Sequence, residues 1–315
     1  MPKSPTISIA MCLYEPDPNF LSEQLQSFLD QSVLPDELVV CDDSNESHSE
    51  YFTEWARGTN IDVRYVHNDA PLGINANFSK AVALTSGDYV LLSDQDDVWE
   101  PLKIEVSVDT IQLHESDEKI PTLFHTDLLL IDEQTRLVGS TFMKKQRIHG
   151  GVERPLGLLM FHNIVTGCSA AMNRPLIEIA FPVPQQAVVH DWWLALVAAS
   201  NGQIIFDHTP LVQYRLHDAN AIGLRPLISF QNIVRLFRFS HIGIEYAKVV
   251  HQTLAFRDRF GDTIDDNLRD FFKSLHRGGL PLVVTAYKAG IKPQAFSRLV
   301  RFWVSAISKT YKKHI

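Results

Sequence analysis

Tyr89-Val90-Leu91-Leu92-Ser93-Asp94-Gln95-Asp96-Asp97-Val98-Trp99 is the stretch on which the reading of this chain turns. The apolar run Tyr89–Leu92 has the pattern of a strand buried on both faces. Asp94, Asp96 and Asp97 follow it at once. Carboxylates repel one another and are seldom buried without a partner, so the cluster calls for a counter-cation. The natural candidate is a hard divalent ion bound through oxygen, Mg²⁺ or Mn²⁺, bridging to a substrate phosphate. The competing reading is a solvated acidic turn that caps a helix opening near Pro101.

Upstream of this stretch, strand and helix signals alternate. Thr6–Leu13 is a β-rich run, and Asp17-Pro18 reads as an N-cap with proline at the first helical position, opening a helix to about Gln31. Glu37–Cys41 is a short strand ending in Asp42-Asp43-Ser44. Ser49–Arg57 is a polar helix, Ile61–His67 a strand, and Asn75–Thr85 a helix with Gly87 placed to end it. This order predicts an α/β fold, a mostly parallel sheet with helices on both faces. Ligands bind beyond the carboxyl ends of such strands. Tyr14-Glu15, Asp42-Asp43 and Asp94–Asp97 stand at three of those ends and are expected to meet in one crevice.

Downstream, Thr122–Ile131 and Leu137–Phe142 read as a hairpin-like pair around Asp132-Glu133-Gln134. Val165–Met172, Ile204–Phe206 and Leu211–Leu216 read as strands. His190–Ser200 reads as a helix with Asp191 in its first turn and Gly202 closing it. After Gly223 the chain turns helical and basic. Residues 225–315 hold 16 Lys and Arg against 6 Asp and Glu, whereas residues 1–223 hold 13 against 31. The split suggests an acidic catalytic domain over 1–223 and a basic helical region over 224–315.

The 315 residues are enough to bury a large core without staples, and 45% hydrophobic with 21% charged residues is ordinary for a soluble globular protein. Cys12, Cys41 and Cys168 show no Cys-x-x-Cys spacing, which argues against a disulfide framework or a zinc site. The N-terminal residues lack the apolar core of a signal peptide, and no stretch is long and apolar enough to span a bilayer. A cytoplasmic enzyme, or one peripheral on the inner face of the cytoplasmic membrane, is therefore expected. No Gly-x-Gly-x-x-Gly or P-loop is present, which weakens readings as a dehydrogenase or NTPase.

The motifs resemble the inverting glycosyltransferases of family two, with the GT-A nucleotide-sugar fold. Within that family they resemble most the rhamnosyltransferase-like members that build bacterial surface polysaccharides. The resemblance rests on Ile7–Tyr14, Leu38–Ser44, Leu72–Phe78, Gly87-Asp88-Tyr89 running into Ser93–Trp99, Asn163–Gly167, His190–Trp193, and Tyr214–His217 with Asn220 and Gly223 behind it. These run in family order over about residues 6–223; residues beyond 225 carry little of it.

The resemblance implies a site residue by residue. Asp43 would lie against the base of a nucleotide, with Cys12 and Tyr14 lining the same pocket; the other reading of Asp42 and Asp43 is a plain turn. Cys12 has no basic neighbour in sequence to activate it as a nucleophile. Asn75, Asp94 and Gln95 would complete the nucleotide set, Asp94 toward the ribose or the metal's water shell. Asp96 would bind the metal directly, and His217 would add an imidazole; the alternative for His217 is a structural histidine. Gln95 stands where some relatives carry a carboxylate, which implies weaker metal affinity. The role of Asp97 stays open.

Asp191 would be the base that takes the proton of the attacking hydroxyl, its alternative being a helix cap. His190 stands where many relatives have Glu. Gly167, in Thr166-Gly167-Cys168-Ser169, would let the backbone approach the donor sugar. Trp192 would stack on an acceptor sugar. Lys80, Arg154 and Arg215 are candidates to neutralise a diphosphate. The partners implied are a dTDP- or UDP-sugar donor and a glycan or lipid-linked acceptor.

Phe296, Leu299, Val300, Trp303 and Ile307 form one helical stripe, with Arg298, Arg301, Lys309, Lys312 and Lys313 around it. This suits a helix lying on an anionic membrane surface, or one packing on the catalytic domain or a second subunit. Nucleic acid is not an expected partner. Two other classes remain open: a non-catalytic nucleotide- or glycan-binding module, and a metal-dependent phosphohydrolase or nucleotidyltransferase.

Overall fold

The computed structural model describes residues 4–115, 120–153, 155–217, 239–264, 266–291 and 296–314. The expected alternation is present as β1 (Ile7–Leu13), α1 (Pro18–Leu29), β2 (Glu37–Asp42), α2 (Ser49–Arg57), β3 (Asp62–His67), α3 (Ile74–Ala83) and β4 (Tyr89–Ser93). It continues through β5 (Val98–Trp99), α4 (Lys103–His114), β6 (Thr122–Thr126), β7 (Leu129–Ile131), α5 (Phe142–Gln146) and α6 (Leu156–Leu159). After these come β8 (Ala171–Asn173), α7 (Arg174–Ala180), α8 (His190–Asn201), β9 (Gln203–Asp207) and β10 (Val212–Arg215).

A seven-stranded sheet has the order β3-β2-β1-β4-β8-β6-β9. All its strands run parallel except β8, which is antiparallel to both β4 and β6. Period-two alternation sends Ile9 and Met11 of β1 to one face, with Leu38, Val40, Leu91 and the helices α1 and α4. Ala10 faces the opposite side, with Val39, Val90, Leu92 and the helices α3 and α8. Strands covered on both sides must be apolar throughout, which is why β1, β2 and β4 read as continuous runs. A small second sheet, β5-β10-β7, lies just past the acid cluster.

Local signals act as expected at α1. The Asp17 carboxylate accepts from the backbone N–H of Asn19 at 2.8 Å and of Phe20 at 3.3 Å, with Pro18 opening the helix. Elsewhere tertiary packing overrides them. The arm 137–142 forms no strand: Leu137 bridges Ile131, and the N–H groups of Val138 and Phe142 donate to the carbonyls of Leu130 and Leu128 beyond a turn closed by Asp132. Most of 165–172 is not strand: residues 167–169 form a 3₁₀ turn, and only Ala171–Asn173 joins the sheet. Gly87 does not end α3, which stops at Ala83. A Cβ on Gly87 would lie 2.6 Å from Ser8 Oγ and 2.8 Å from Ser8 N, so its role is close approach to β1.

The basic region forms helices Phe239–Phe260, Asp266–Leu275, Gly279–Lys288 and Phe296–Ser308. Ala247, Val250, Phe256, Phe271, Leu282 and Phe302 belong to the apolar cluster that includes α8 and one face of the sheet. Arg259 donates to the carbonyls of Phe181 and Pro182 at 3.1 Å, and its guanidinium lies 5.9 Å from the Trp193 ring centre. The expected boundary at Gly223, together with Asn220 and Arg154, lies outside the described residues. No described helix is long and apolar enough to cross a membrane.

Gly202 does close α8, but through space rather than a left-handed turn. A Cβ there would come within 1.8 Å of the Pro121 carbonyl oxygen. Gly202→Ala is expected to lower the unfolding free energy by roughly 1–3 kcal/mol in urea titration, because main chain rather than a side chain has to move. An unchanged midpoint would show that the Pro121–Gly202 approach is not a constraint.

Candidate active site

The carboxyl ends of β1, β2 and β4 open into a cavity of about 430 Å³. The start of α3, the turn at Thr166-Gly167 and the start of α8 close its other sides. Of the residues singled out in the sequence, Cys12, Tyr14, Asp43, Asp94, Gln95, Asp96, Gly167 and Asp191 line it together. The expected convergence of three strand ends is therefore met, and the acid cluster is no solvated turn: Asp97 is fully buried.

The acid loop is held by a residue of another element. Arg215, at the end of β10, has no exposed surface. Its backbone N–H donates to Asp97 Oδ1 at 3.1 Å and its Nε to the Asp96 carbonyl at 2.9 Å. Its Nη1 reaches Thr135 Oγ1 at 2.9 Å and its Nη2 reaches Glu23 Oε2 at 2.6 Å. The guanidinium carbon lies 4.5 Å from the centre of the Phe20 ring. Arg215 is thus engaged within the fold, which corrects its expected role at a diphosphate. Lys80 is likewise committed, donating to Asn68 Oδ1 at 2.6 Å.

Gln95 fastens the same loop to β1. Its Oε1 accepts from Tyr14 N at 2.8 Å and its Nε2 donates to Tyr14 O at 3.0 Å. This pairing needs one donor and one acceptor on the same side chain, which an amide has and a carboxylate lacks. Tyr14 itself is exposed at the cavity mouth. Asp43 holds the opposite wall: Oδ1 accepts from Asn68 Nδ2 at 2.7 Å and Leu72 N at 3.0 Å, and Oδ2 from Gly73 N at 2.9 Å. The carboxylate thereby shapes the loop into α3, with one acceptor site left on Oδ2. Asn75 donates to the Ala187 carbonyl at 3.0 Å, joining α3 to the segment before α8.

Asp191 stands at the first turn of α8 with both oxygens fixed. Asn163 Nδ2 donates to Oδ1 at 2.9 Å, and the Gly167 N–H donates to Oδ2 at 2.9 Å. Burial pushes its carboxyl up to about 6, against the lowering effect of these donors. Gly167 is required by the closeness of His190, whose Nε2 would lie 2.7 Å from a Cβ at that position. His190 stacks on Phe78 with ring centres 4.0 Å apart, and burial pushes its pKa down to about 3, so it is neutral. Neither of its ring nitrogens has a hydrogen-bond partner among the described residues, although both are buried at the cavity wall.

Trp192 does not reach the cavity. Its indole N–H donates to the Leu159 carbonyl at 2.6 Å and the ring is buried in the core, which corrects its expected place at an acceptor sugar. Trp193 is core as well, bonded to the Ala180 carbonyl at 2.8 Å.

The acid loop fits a divalent ion. Asp96 Oδ2 lies 2.8 Å from His217 Nε2, so the two expected ligands are neighbours although 121 positions apart in sequence. Hydrogen bonding to Asp96 raises the His217 pKa, and burial followed by repulsion from Asp96 raises Asp94 to about 7. Asp94 and Asp96 line the cavity and Asp96 is bonded to the imidazole of His217, a donor set suited to a hard or borderline cation. A second group, Asp94, Asp97 and Cys168, has donor atoms within 4.8 Å of one another. Burial pushes the Cys168 thiol well up, so it presents S–H rather than thiolate and suits a hard ion poorly. Cys12 is in the same state: burial first, then Cys41, holds its thiol well above the usual range.

Two contributors were not legible beforehand. Lys103, fully buried at the start of α4, donates to the Ser169 carbonyl at 3.1 Å and stands 4.9 Å from the centre of the Trp99 ring. Burial lowers its pKa to about 8, while the neighbouring Cys168 and Asp97 oppose that shift. Asn68 links Asp43, Asn77 and Lys80. No sequence pattern marks either, because their partners come from distant elements.

Comparisons with known proteins agree with this geometry. Residues 8–128 match the family model Glycosyl transferase family 2, a span that contains the acid loop. An uncharacterized glycosyltransferase of Rickettsia typhi is 24% identical over 220 residues, which are 69% of this chain and 65% of that relative. The glucosyl-dolichyl phosphate glucuronosyltransferase of Haloferax volcanii is 34% identical over 107 residues, 34% of each chain. The chain thus spans between about a third and two thirds of the length of these relatives. Among solved structures, S. aureus TarS 1-349 in complex with UDP-GlcNAc superposes with a TM-score of 0.55 at 13% identity, covering 98% of this chain and 91% of that one. The mannosyltransferase PcManGT of Pyrobaculum calidifontis, in complex with GDP-Man and Mn²⁺, gives 0.54 at 16% identity over 99% and 88%. The fold is GT-A, as the sequence led us to expect.

The Gln95 pairing predicts an order of stabilities. Gln95→Glu loses the donor to Tyr14 O and adds a charge beside Asp94 and Asp96, so it should cost about 1 kcal/mol more than Gln95→Met in urea unfolding without added metal. Equal costs for the two variants would remove the amide from this role.

Proposed function

We propose that this chain is a metal-dependent inverting glycosyltransferase. In this reading it moves a sugar, rhamnose or a hexose, from a dTDP- or UDP-sugar to a hydroxyl of a glycan or lipid-linked oligosaccharide in bacterial surface polysaccharide synthesis. One observation carries the reading: a single carboxylate, Asp191, held by two donors and lifted to about 6, opens onto the same cavity as the acid loop. The cavity volume suits a small organic ligand. The match over residues 8–128, and the sugar nucleotides named with TarS and PcManGT, support the donor class.

The chemistry follows from where the groups stand. Inversion is a direct displacement, with the acceptor hydroxyl attacking the anomeric carbon from the side opposite the leaving diphosphate. Asp191 takes the hydroxyl proton on the carboxylate oxygens that Asn163 and Gly167 orient, a role worth typically 10²–10⁴-fold. A Mn²⁺ or Mg²⁺ ion held by Asp96 and His217, with Asp94 alongside, would offset the charge that develops on the diphosphate. Cys12, Tyr14 and Asp43 line the same cavity and receive the nucleoside. The neutral His190 packs behind Gly167, whose lack of a side chain leaves room for it.

The sign of the pH dependence is fixed by Asp191. Below about pH 6 the carboxyl holds its proton and cannot act as base. At saturating divalent ion, which keeps the acid loop ionised, kcat/KM for glycosyl transfer should fall tenfold per pH unit below that point. Asp191→Asn should remove this limb and lower kcat by 10²–10⁴-fold, roughly, with sugar-nucleotide affinity nearly intact. Full activity in that variant would remove Asp191 as the base.

The metal assignment has a separate test in calorimetry. Asp96→Ala should weaken Mn²⁺-dependent binding of UDP or dTDP by about tenfold or more, while binding without metal stays as in the parent. Unchanged binding in the presence of Mn²⁺ would sink Asp96 as a ligand.

A further inference from the structure

The helices Gly279–Lys288 and Phe296–Ser308 form an antiparallel pair. A Cβ on Gly278, just before the first, would meet Lys309 Cγ at 3.0 Å and Ala306 O at 3.5 Å, beside the end of the second. Each helix buries one side: Leu282 and Ala286 in the first, Phe302, Ser305 and Ala306 in the second. The Phe302 ring lies 4.8 Å from Phe161, which anchors the pair to the rest of the fold.

The sides turned away from this core are apolar. Leu280 and Tyr287 are 69% exposed and Val284 50%, spaced along one face of the first helix; Val300, Trp303 and Ile307, 42–52% exposed, do the same on the second. Since Gly278 abuts the 306–309 end, antiparallel pairing sets Leu280 level with Ile307, Val284 with Trp303 and Tyr287 with Val300. Large exposed apolar surface of this kind marks an interaction site.

Charge identifies the occupant. After Asp270 the chain contains no Asp or Glu and nine Lys or Arg, although the whole protein carries a formal charge of −8. Arg277, Lys288, Lys309, Lys312 and Lys313 are exposed. A second copy seated on this face would bring together two segments that each carry nine Lys or Arg and no Asp or Glu, which like-charge repulsion opposes. A bare polyanion would match the charge but leave the apolar rows in water. An anionic bilayer satisfies both, taking the apolar rows into its interface and the lysines among its headgroups.

We propose that this helical pair is a docking surface for an anionic lipid membrane. It is independent of the chemistry at the cavity. The test is co-sedimentation of the full chain with phosphatidylcholine vesicles containing or lacking phosphatidylglycerol. The chain should sediment with the anionic vesicles and remain in the supernatant with pure phosphatidylcholine. Lys309→Gln, Lys312→Gln and Lys313→Gln combined should weaken partition on the order of 100-fold, at about a factor of five per charge. Leu280→Glu with Trp303→Glu should weaken it at least tenfold, with an unchanged melting curve showing that the fold persists.

Three results would overturn the proposal. One is partition independent of lipid charge. Another is a wild-type dimer that the Leu280→Glu, Trp303→Glu variant turns into a monomer. The third is binding to a soluble polyanion as tight as to anionic vesicles.

Discussion

The buried guanidinium of Arg215 is the interaction on which the site depends. Three carboxylates within a four-residue loop would spread toward water if nothing held them. Arg215 fixes the loop through its backbone, at the Asp96 carbonyl, and through the Asp97 side chain, at its own N–H. It leaves the Asp94 and Asp96 carboxylates at the cavity wall, with Asp96 bonded to His217. The same guanidinium reaches Glu23 in α1 and Thr135 in the turn after β7, so first half and second half of the fold meet at one side chain. The exposed end of the Glu23 pair contributes little stability of its own. The value of the contact is positional: it makes the acid loop a wall rather than a tether.

The other walls are built by the same device, polar side chains spent on backbone groups of a neighbouring loop. Gln95 binds both main-chain groups of Tyr14, and Asp43 binds the N–H groups of Leu72 and Gly73. Asp191 is held by the Gly167 N–H. Each bond is ordinary in strength, about 1 kcal/mol net for the Gln95 amide and roughly 1.5–3 kcal/mol where an ionised carboxylate accepts. Together they pin four loops that the sheet alone would leave loose at its carboxyl edge. Residues that the sequence marks as ligand contacts therefore have a first duty to the fold, and their substitution should disturb both shape and binding.

Much of this was legible in the sequence, and the reasons are physical. β1, β2 and β4 are covered on both faces, so their apolar runs stand out, and the turns after them must be polar. That made the crevice and its acids visible, and placed Asp96 and His217 in one site across 121 positions through resemblance alone. The misreadings have a shared cause. Arg215 and Trp192 look like ligand contacts because their residue types serve that role elsewhere, yet what a side chain touches is set by distant elements: Leu159 for Trp192, Glu23 and Asp96 for Arg215. Gly87 and Gly202 were read as helix stops because glycine often takes a left-handed turn. Here both lack a side chain because backbone from another segment passes too close, a fact with no local signature. Lys103 was missed for the same reason.

The buried acids also set a direction for the energetics. Asp191 titrates near 6 in the fold and near 4 when unfolded, so the folded state binds its proton more tightly. Below pH about 4 the carboxyl is neutral in both states and its burial costs little. Above about 6 it is ionised in both, and holding that charge inside costs about 3 kcal/mol for this group. Asp94, lifted to about 7, pushes the same way, and burial with repulsion from Asp96 and Asp94 raises Asp97 well above the usual carboxylate range. The native site at neutral pH is thus an electrostatic deficit partly met by the interior Lys103, which neighbours Cys168 and Asp97. In the proposed reading, a divalent ion at Asp96 and His217 would relieve the same packed charge that destabilises the acid loop.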